Sequence, residues 1–401
     1  MPNLVLILLG FFLIAALLRV DTYFSLIYLI AAVYILGRLW TRRTMRQLET
    51  ERRLVNRAFP GEKIPVELRV RNNGWLPAPW VEMHDSLPVE MISPPFYRRV
   101  LSLQPHQEKR FQYTLSPYKR GYYLIGPVIW RTGDLLGFLP QLAAQHRPEY
   151  IIIYPRVLAL DKLGLPTQSP LASLPAPAPL FEDPTRILGV RDYRTGDSPR
   201  RIHWTASAAA GKLLVKRYQP AIARETLICL DLDQDNYAFQ RMIEAMELAI
   251  TTAASLANHI IMREGLSVGL ATQATDPLQE STVRMSLPPR GERAHLIGIL
   301  EVLARAQTYR RRPGLDDELL HLDDFLRHES MRLSWGATIV VITGSETDEL
   351  FDSLVYLRHQ GFAVALVLVM PQPPEKGKKA RAEALHVPVY RIWREREVEM
   401  L

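Results

Sequence analysis

The chain has 401 residues, 48% of them hydrophobic, which is enough for two or three domains with sizeable cores. Its formal charge of +7 is modest for this length and does not by itself indicate nucleic-acid binding. A single cysteine, Cys229, excludes an intrachain disulfide. It lies in the apolar run LICLDL and is interpreted as a buried hydrophobic residue.

Residues 1–40 predict a transmembrane helical hairpin. Residues 4–18 and 23–37 are two uncharged apolar runs, separated by a short turn with Arg19 and Asp21. Each run is shorter than the about 20 residues that span a bilayer, but flanking apolar residues and snorkelling arginines extend both. A signal peptide is the alternative for the first run. It fits poorly, because no Lys or Arg precedes the run and a second apolar run follows.

A cluster of arginines follows the second run: Arg38, Arg42, Arg43, Arg46, Arg52, Arg53 and Arg57. The positive-inside rule places that side in the cytoplasm. The absence of paired cysteines agrees with a reducing compartment. We therefore expect a protein of the inner membrane with two helices and cytoplasmic soluble domains.

The middle of the chain divides by composition. Residues 41–58 predict a juxtamembrane helix or linker. Residues 59–155 contain short alternating segments between Pro and Gly, beginning with one that ends in the turn signal Asn72-Asn73-Gly74. They predict an antiparallel β-sandwich of about six or seven strands. Residues 156–188 are rich in Pro and Ala and predict a linker.

Residues 224–401 alternate between strand and helix patterns, with helices predicted over 239–263, 291–306, 319–332 and 348–359. This alternation predicts a mostly parallel sheet with helices on both faces, in a doubly wound α/β domain. The whole chain is therefore expected to be multidomain: helical hairpin, β-sandwich and α/β domain.

The first strand of that domain ends in three alternating carboxylates, Asp231, Asp233 and Asp235. In an extended segment they would point the same way, and oxygen ligands suit Mg²⁺ or Ca²⁺. The alternative is that Asp233, Asp235 or Asn236 caps the following helix. Gly344 stands at the end of a neighbouring strand where a further Asp ligand could be, which weakens the metal hypothesis.

Several kinds of active site lack their motifs. The sequence has no phosphate-binding loop, no nucleophile elbow and no paired His or Cys spacing for zinc. Ser207 has helical spacing from His203, but no partner carboxylate is evident. No catalytic residue is therefore assigned.

Residues 189–223, called here the signature segment, combine many charges with aromatic residues. Two interpretations stay open: an internal ion-pair and aromatic lattice that docks the linker on the α/β domain, or a recognition surface for a partner protein or an anion. Nucleic acid is not expected, because the aromatic residues are too few for a stacking platform.

The signature segment resembles the bacterial "domain of unknown function 58" family. The resemblance rests on the pattern formed by Arg191, Tyr193, Gly196, Asp197, Arg200 or Arg201, Ile202, His203, Trp204, Gly211, Lys212 and Leu213. Residues 119–139, KRGYYLIGPVIWRTGDLLGFL, are also similar to that family. With the N-terminal hairpin, the resemblance extends over nearly the whole chain.

The resemblance implies a membrane-anchored protein whose α/β domain is von Willebrand factor A-like. It also implies a MoxR-type AAA+ ATPase as partner, and possibly a transglutaminase-like membrane protein. Two departures stand out. Asp233 and Asp235 replace the serines of the metal motif Asp-x-Ser-x-Ser, and Gly344 replaces a later Asp. Thr205 and Ala209 stand where many members have basic residues.

We therefore expect a non-enzymatic scaffold or adaptor in envelope or complex assembly, without a cofactor. One alternative is a divalent-metal-dependent enzyme that uses Asp231, Asp233 and Asp235, with His203 as a possible base. The other is an anionic-lipid or nucleic-acid binding protein that uses the basic stretches.

Overall fold

The computed structural model describes residues 10 and 12 and the ranges 21–92, 97–132, 142–160, 182–193, 202–220, 225–311, 319–370 and 387–399. The chain divides into two compact units, Met1–Arg156 and Val157–Leu401. Each unit has its own hydrophobic core.

The first unit begins with a long helix, α1 (Asp21–Gln47). Its segment Phe24–Gln47 is 24 residues long and apolar enough to cross a membrane. At 1.5 Å per residue it extends about 36 Å, more than the hydrocarbon thickness of about 30 Å. The predicted second helix is thus present and continues ten residues beyond the end of its apolar run. The predicted first helix, residues 4–18, lies outside the described residues except at positions 10 and 12, so the hairpin stays a prediction.

No linker separates α1 from the strands. Strand β1 (Leu48–Arg53) follows directly, and β2 (Arg57–Ala58) comes soon after. Of the helix or linker predicted over 41–58, the helix is present as far as Gln47, and two strands take the place of a linker in the remainder. Thr50 and Arg52 point inward from β1, so the strand alternates normally, but with polar residues on its buried face.

The rest of this unit is a β-sandwich built from β3 to β11. The strands are β3 (Ile64–Asn72), β4 (Ala78–Asp85), β5 (Met91–Ile92), β6 (Tyr97–Leu103), β7 (Glu108–Pro117), β8 (Gly121–Ile125), β9 (Val128–Thr132), β10 (Leu142–His146) and β11 (Glu149–Ile153). They form sheets of order β1-β3-β7-β5, β10-β9-β4-β6 and β2-β11-β8. Because β3 and β4 belong to different sheets, the Asn72-Asn73-Gly74 turn connects the sheets and is not a hairpin.

An ion pair in the core connects the two larger sheets. Arg52 Nη2 on β1 donates to Asp85 Oδ1 on β4 at 2.5 Å, and both side chains are fully buried. Arg52 Nη1 donates to the Ile125 carbonyl at 3.0 Å, and the Tyr113 hydroxyl donates to Asp85 Oδ2 at 2.6 Å. Burial is the main reason that the pKa of Tyr113 is raised. Arg52 is therefore a core residue and does not belong to the arginine cluster that predicts the cytoplasmic side of the membrane.

The second unit opens with a two-stranded antiparallel sheet formed by the signature segment and the residues before it. Strand β12 (Glu182–Asp192) pairs with β13 (Leu214–Pro220), and the short helix α2 (Trp204–Ala210) lies between them. Residues 182–188 of the predicted linker thus belong to β12. Residues 161–181 lie outside the described part of the chain.

A six-stranded sheet forms the centre of the second unit, in the order β16-β15-β14-β17-β18-β19. All neighbours are parallel except β16. The strands are β14 (Glu225–Leu230), β15 (Ser267–Asp276), β16 (Ser281–Arg290), β17 (Thr338–Thr343), β18 (Ala363–Val369) and β19 (Val389–Ile392). The pattern analysis did not predict β16, which contains two prolines and charged residues. An edge strand tolerates both.

Helices cover both faces of this sheet, as predicted for a doubly wound domain. They are α3 (Met242–Met262), α4 (Arg293–Arg305), α5 (Leu322–Ser330), α6 (Asp348–His359) and α7 (Glu395–Glu399). Helices α3 and α4 contact each other, as do α5 and α6. Phe325, Leu354 and Cys229 belong to the core between the sheet and the α5–α6 pair, so Cys229 is buried as interpreted.

The buried ion pair predicts that two carboxylates of the first unit, each paired with an arginine, differ greatly in their contribution to the unfolding free energy. Asp85→Asn keeps the side-chain shape but leaves the buried Arg52 charge unpaired, and we expect a loss of about 3–5 kcal/mol in unfolding free energy. The matched control is Glu51→Gln, because Glu51 pairs with Arg53 at 2.8 Å on the surface. This change should cost less than about 1 kcal/mol. Denaturant unfolding of the detergent-solubilised chain measures both, and equal losses would contradict the assignment.

Candidate functional site

The strand order creates a crevice between β14 and β17. The chain leaves β14 through α3 toward β15, whereas it leaves β17 through α6 toward β18 on the opposite side. Where connections diverge in this way, ligands of open α/β sheets bind beyond the carboxyl ends of the strands. Asp231 follows β14 directly, and Thr343 is the last residue of β17. This crevice is the candidate site.

Both carboxylate oxygens of Asp231 accept hydrogen bonds from protein donors. Its Oδ2 accepts hydrogen bonds from Thr343 Oγ1 at 2.7 Å and from Asn236 Nδ2 at 2.9 Å. Its Oδ1 accepts one from the Asp233 backbone at 3.1 Å. The residue is 5% exposed, and burial raises the pKa of its carboxyl to about 6, although the three hydrogen bonds oppose that rise.

The other two carboxylates of the predicted cluster face different partners. Asp233 Oδ1 accepts a hydrogen bond from the Asp235 backbone at 3.1 Å, and its Oδ2 lies 3.9 Å from Arg311 Nη2. Asp235 Oδ1 lies 3.0 Å from Arg310 Nε. A turn of 3-10 helix over Gln234–Asn236 interrupts the extended chain on which the prediction of convergence depended.

The capping alternative is also corrected. Asp233 caps the 3-10 turn, not the long helix, because α3 begins only at Met242, and Arg241 before it makes no side-chain capping bond. Burial raises the pKa of Asp233 as well, against the opposing hydrogen bond from the Asp235 backbone.

These carboxylates do not fit one shared divalent cation. Both oxygens of Asp231 are engaged by protein donors, and Asp233 and Asp235 face two arginines. Among the residues that the structure describes, no three His, Cys, Asp or Glu side chains are grouped around a possible metal position. Gly344 has a steric explanation. A Cβ there would lie 2.5 Å from the Tyr237 ring and 2.9 Å from the Asn236 carbonyl, which leaves no room for an Asp.

A cleft of about 510 Å³ opens beside these residues. Its lining mixes acidic, basic and hydroxyl side chains: Asp233, Asp235, Asp323, Glu349, Arg311, His321, Ser345 and Thr347. Sequence reasoning missed the arginines and Thr343. Tyr309, just before Arg310, pairs with Asp233 across a long sequence separation that no local pattern reveals. Thr343 could have been found, because it precedes Gly344 at a predicted strand end.

The signature segment forms a separate structure. Its His203 Nδ1 accepts a hydrogen bond from the Ala206 backbone at 3.2 Å and so caps α2. Ser207 Oγ accepts from the Leu214 backbone at 2.8 Å, which ties the helix to β13. Gly211 ends α2 with a φ of +66°, a conformation that favours glycine. His203 and Ser207 thus have structural roles in this arrangement.

The remaining signature residues are divided between surface and undescribed positions. Lys212 Nζ lies 2.8 Å from Asp192 Oδ1 in an exposed ion pair, and Arg191 Nη1 donates to the Asp192 carbonyl at 3.1 Å. Trp204 is 66% exposed, and nearby Tyr193 is also exposed. Four predicted residues lie outside the described part of the chain: Gly196, Asp197, Arg200 and Arg201.

The structure thus defines an α/β protein whose doubly wound sheet follows the paired strands of a signature segment. Residues 189–375 match the family described as "Protein of unknown function DUF58". The resemblance of the signature segment is thereby confirmed. An "Uncharacterized protein YeaD" of Bacillus subtilis (strain 168) is 21% identical over 237 residues, which cover 55% of this chain and 55% of the relative. The chain thus spans about half the length of that relative.

Two solved structures show weaker likeness. One is an aerotolerance-related membrane protein from Bacteroides fragilis, 17% identical, with a TM-score of 0.28 over 42% of this chain and 90% of the other. The second is the CARDB domain of the PF1109 protein from Pyrococcus furiosus, 18% identical, with a TM-score of 0.20 over 26% of this chain and 91% of the other.

The raised pKa of Asp231 predicts a pH dependence of stability. An unfolded Asp has a pKa of about 3.9, so the folded state binds the proton more tightly. The contribution of Asp231 to the unfolding free energy should therefore fall by roughly 2 kcal/mol as the pH rises from 4 to above 6. Asp231→Asn removes the titrating group, and this decrease should disappear. Urea unfolding of both chains across that range measures the difference; an unchanged slope in the variant would rule out Asp231 as its source.

Proposed function

We propose that this protein is a membrane-anchored, non-enzymatic scaffold or adaptor. Helix α1 supplies an apolar segment long enough to serve as an anchor. Two groups that the enzyme alternative would use are engaged in structural bonds: Asp231 joins two strands, and His203 caps a helix. An adaptor needs a stable surface and no reactive group, which agrees with both observations.

The α/β domain is proposed to be von Willebrand factor A-like, as the family resemblance implies. Support comes from the strand order, with β14 and β17 central and a single antiparallel edge strand, β16. Recognition through a bound metal is not part of the proposal, because Asp231, Asp233 and Asp235 face separate partners.

The proposed location is the inner membrane, with two helices and the soluble units in the cytoplasm. Exposed arginines at the C-terminal end of α1 support this orientation through the positive-inside rule: Arg38, Arg42, Arg43 and Arg46. A cytoplasmic location would make the protein accessible to the proposed partner, a MoxR-type AAA+ ATPase. A transglutaminase-like membrane protein is the second proposed partner, and envelope or complex assembly the proposed process.

The exposure of Trp204 is the observation that carries the adaptor proposal. This tryptophan is the first residue of α2, inside the signature segment. It is 66% exposed, so it contributes little to the hydrophobic core of the unit. Tryptophans are enriched among the residues that contribute most to binding at protein interfaces. Leu213, at the other end of the helix, is 47% exposed and adds apolar surface.

Trp204→Ala tests this surface. Membranes solubilised in mild detergent should yield an AAA+ ATPase with the wild-type chain but not with the variant, because the aromatic anchor is lost. The matched control is Met331→Ala, since Met331 is an apolar residue of the same unit that is 77% exposed. Mass spectrometry of the co-purified proteins is the readout. If no AAA+ ATPase co-purifies with the wild-type chain, the adaptor proposal is wrong. If the ATPase also co-purifies with Trp204→Ala, only the proposed surface around Trp204 is wrong.

Metal titration separates the adaptor from the enzyme alternative. Because the oxygens of Asp231 are bonded to protein donors, calorimetry with Mg²⁺ or Ca²⁺ should give no binding heat. A binding heat that disappears in Asp231→Ala would instead favour a metal-dependent enzyme.

A further inference from the structure

The loop between β3 and β4 is fastened along the last turns of α1. At one end of the loop, the Asn73 backbone donates to the Gln47 carbonyl at 2.9 Å. At the other end, Trp40 Nε1 donates to the Pro77 carbonyl at 2.9 Å. The loop therefore runs beside the helix, in the opposite direction, between the levels of Gln47 and Trp40.

The contact between loop and helix is close. A Cβ at Gly74 would meet the end of the Gln47 side chain, which lies against the loop and would have to move aside. Met45, one turn before the helix ends, is 8% exposed and belongs to the sandwich core. The position of the loop relative to the helix is thus set by two hydrogen bonds, each to a backbone carbonyl, and by packing.

Trp75, at the tip of this loop, is 64% exposed and contributes little to the sandwich core. Its level on α1 follows from the contacts on either side. Trp40 and Gln47 are seven residues apart, about 10 Å along the helix axis, so Trp75, midway along the loop, lies about 5 Å beyond the level of Trp40. A hydrocarbon layer of about 30 Å centred on the apolar run 23–37 ends near Trp40, and the polar interface of a bilayer extends about 5–8 Å beyond the hydrocarbon. Trp75 is therefore at the level of the lipid headgroups.

We propose that the β3–β4 loop is a second membrane contact, in which Trp75 inserts between the headgroups of the bilayer that α1 spans. This inference rests on the proposed membrane anchoring by α1. Tryptophan is enriched at membrane–water interfaces because its ring is apolar and its N–H is polar. Arg42 and Arg43, exposed at the same level of the helix, match anionic headgroups in charge.

Depth-dependent quenching tests the proposal in the full chain. Trp75→Cys introduces a thiol for an environment-sensitive dye, while Cys229 is buried and burial raises its pKa, which makes it unreactive. The chain is placed in phosphatidylcholine vesicles that contain phosphatidylglycerol and lipids with nitroxides at shallow or deep positions. The label at position 75 should shift to shorter wavelength and lose most of its emission with the shallow nitroxide.

Two matched labels separate this inference from the anchoring itself. Val89→Cys is the negative control, because Val89 is apolar, 88% exposed and beyond the opposite end of β4. Leu29→Cys, 61% exposed in the middle of the apolar run, reports whether α1 is embedded and should be quenched by the deep nitroxide. If Leu29 is quenched and position 75 behaves like position 89, the loop contact is wrong and the anchoring stands. If Leu29 is not quenched, the anchoring fails, and the loop contact fails with it.

Discussion

The hydrogen bond from Thr343 to Asp231 fixes the carboxyl ends of the two central strands against each other, at the end of the backbone ladder that joins the two halves of the α/β sheet. It joins the ends of β14 and β17. These strands are neighbours in the sheet but not consecutive in the chain, and their helical connections diverge from this point. A carboxylate that is buried there without a cation needs several donors, and Asn236 and the Asp233 backbone supply them. The 3-10 turn that brings Asn236 to Asp231 also directs Asp235 away from Asp231. The hydrogen bonding of Asp231 therefore determines the shape of the cleft.

The same constraint explains why the crevice is not built as the family resemblance implied. Tyr237 donates its hydroxyl to the Asp231 carbonyl at 2.8 Å, and its ring occupies the space beside Gly344. Arg310 and Arg311 then face the two remaining carboxylates. Protein groups thus fill the positions around Asp231, and the exposed surface of the signature segment becomes the stronger candidate for recognition.

How far the sequence predicts this structure depends on where the partners lie along the chain. Helices and parallel strands of the α/β domain follow from periodicity, because each is a long and locally consistent segment. Strand β1 was missed because its inward residues are Thr50 and Arg52, and the partner of Arg52 is on another sheet. The 3-10 turn separates Asp231 from Asp235, but the ion pair of Asp235 depends on Arg310, which only the tertiary fold brings close. Local patterns therefore locate the site, whereas its bonding depends on distant residues.

The direct continuation of α1 into β1 has a mechanical consequence. A flexible linker would let the sandwich reorient freely about its anchor, but here the helix end is part of the sandwich core through Met45. Bilayers of different thickness change the tilt of a spanning helix. With no hinge between them, a change in the tilt of α1, as the proposed membrane anchor, would rotate the sandwich through the same angle, so bilayer thickness would set the orientation of this unit.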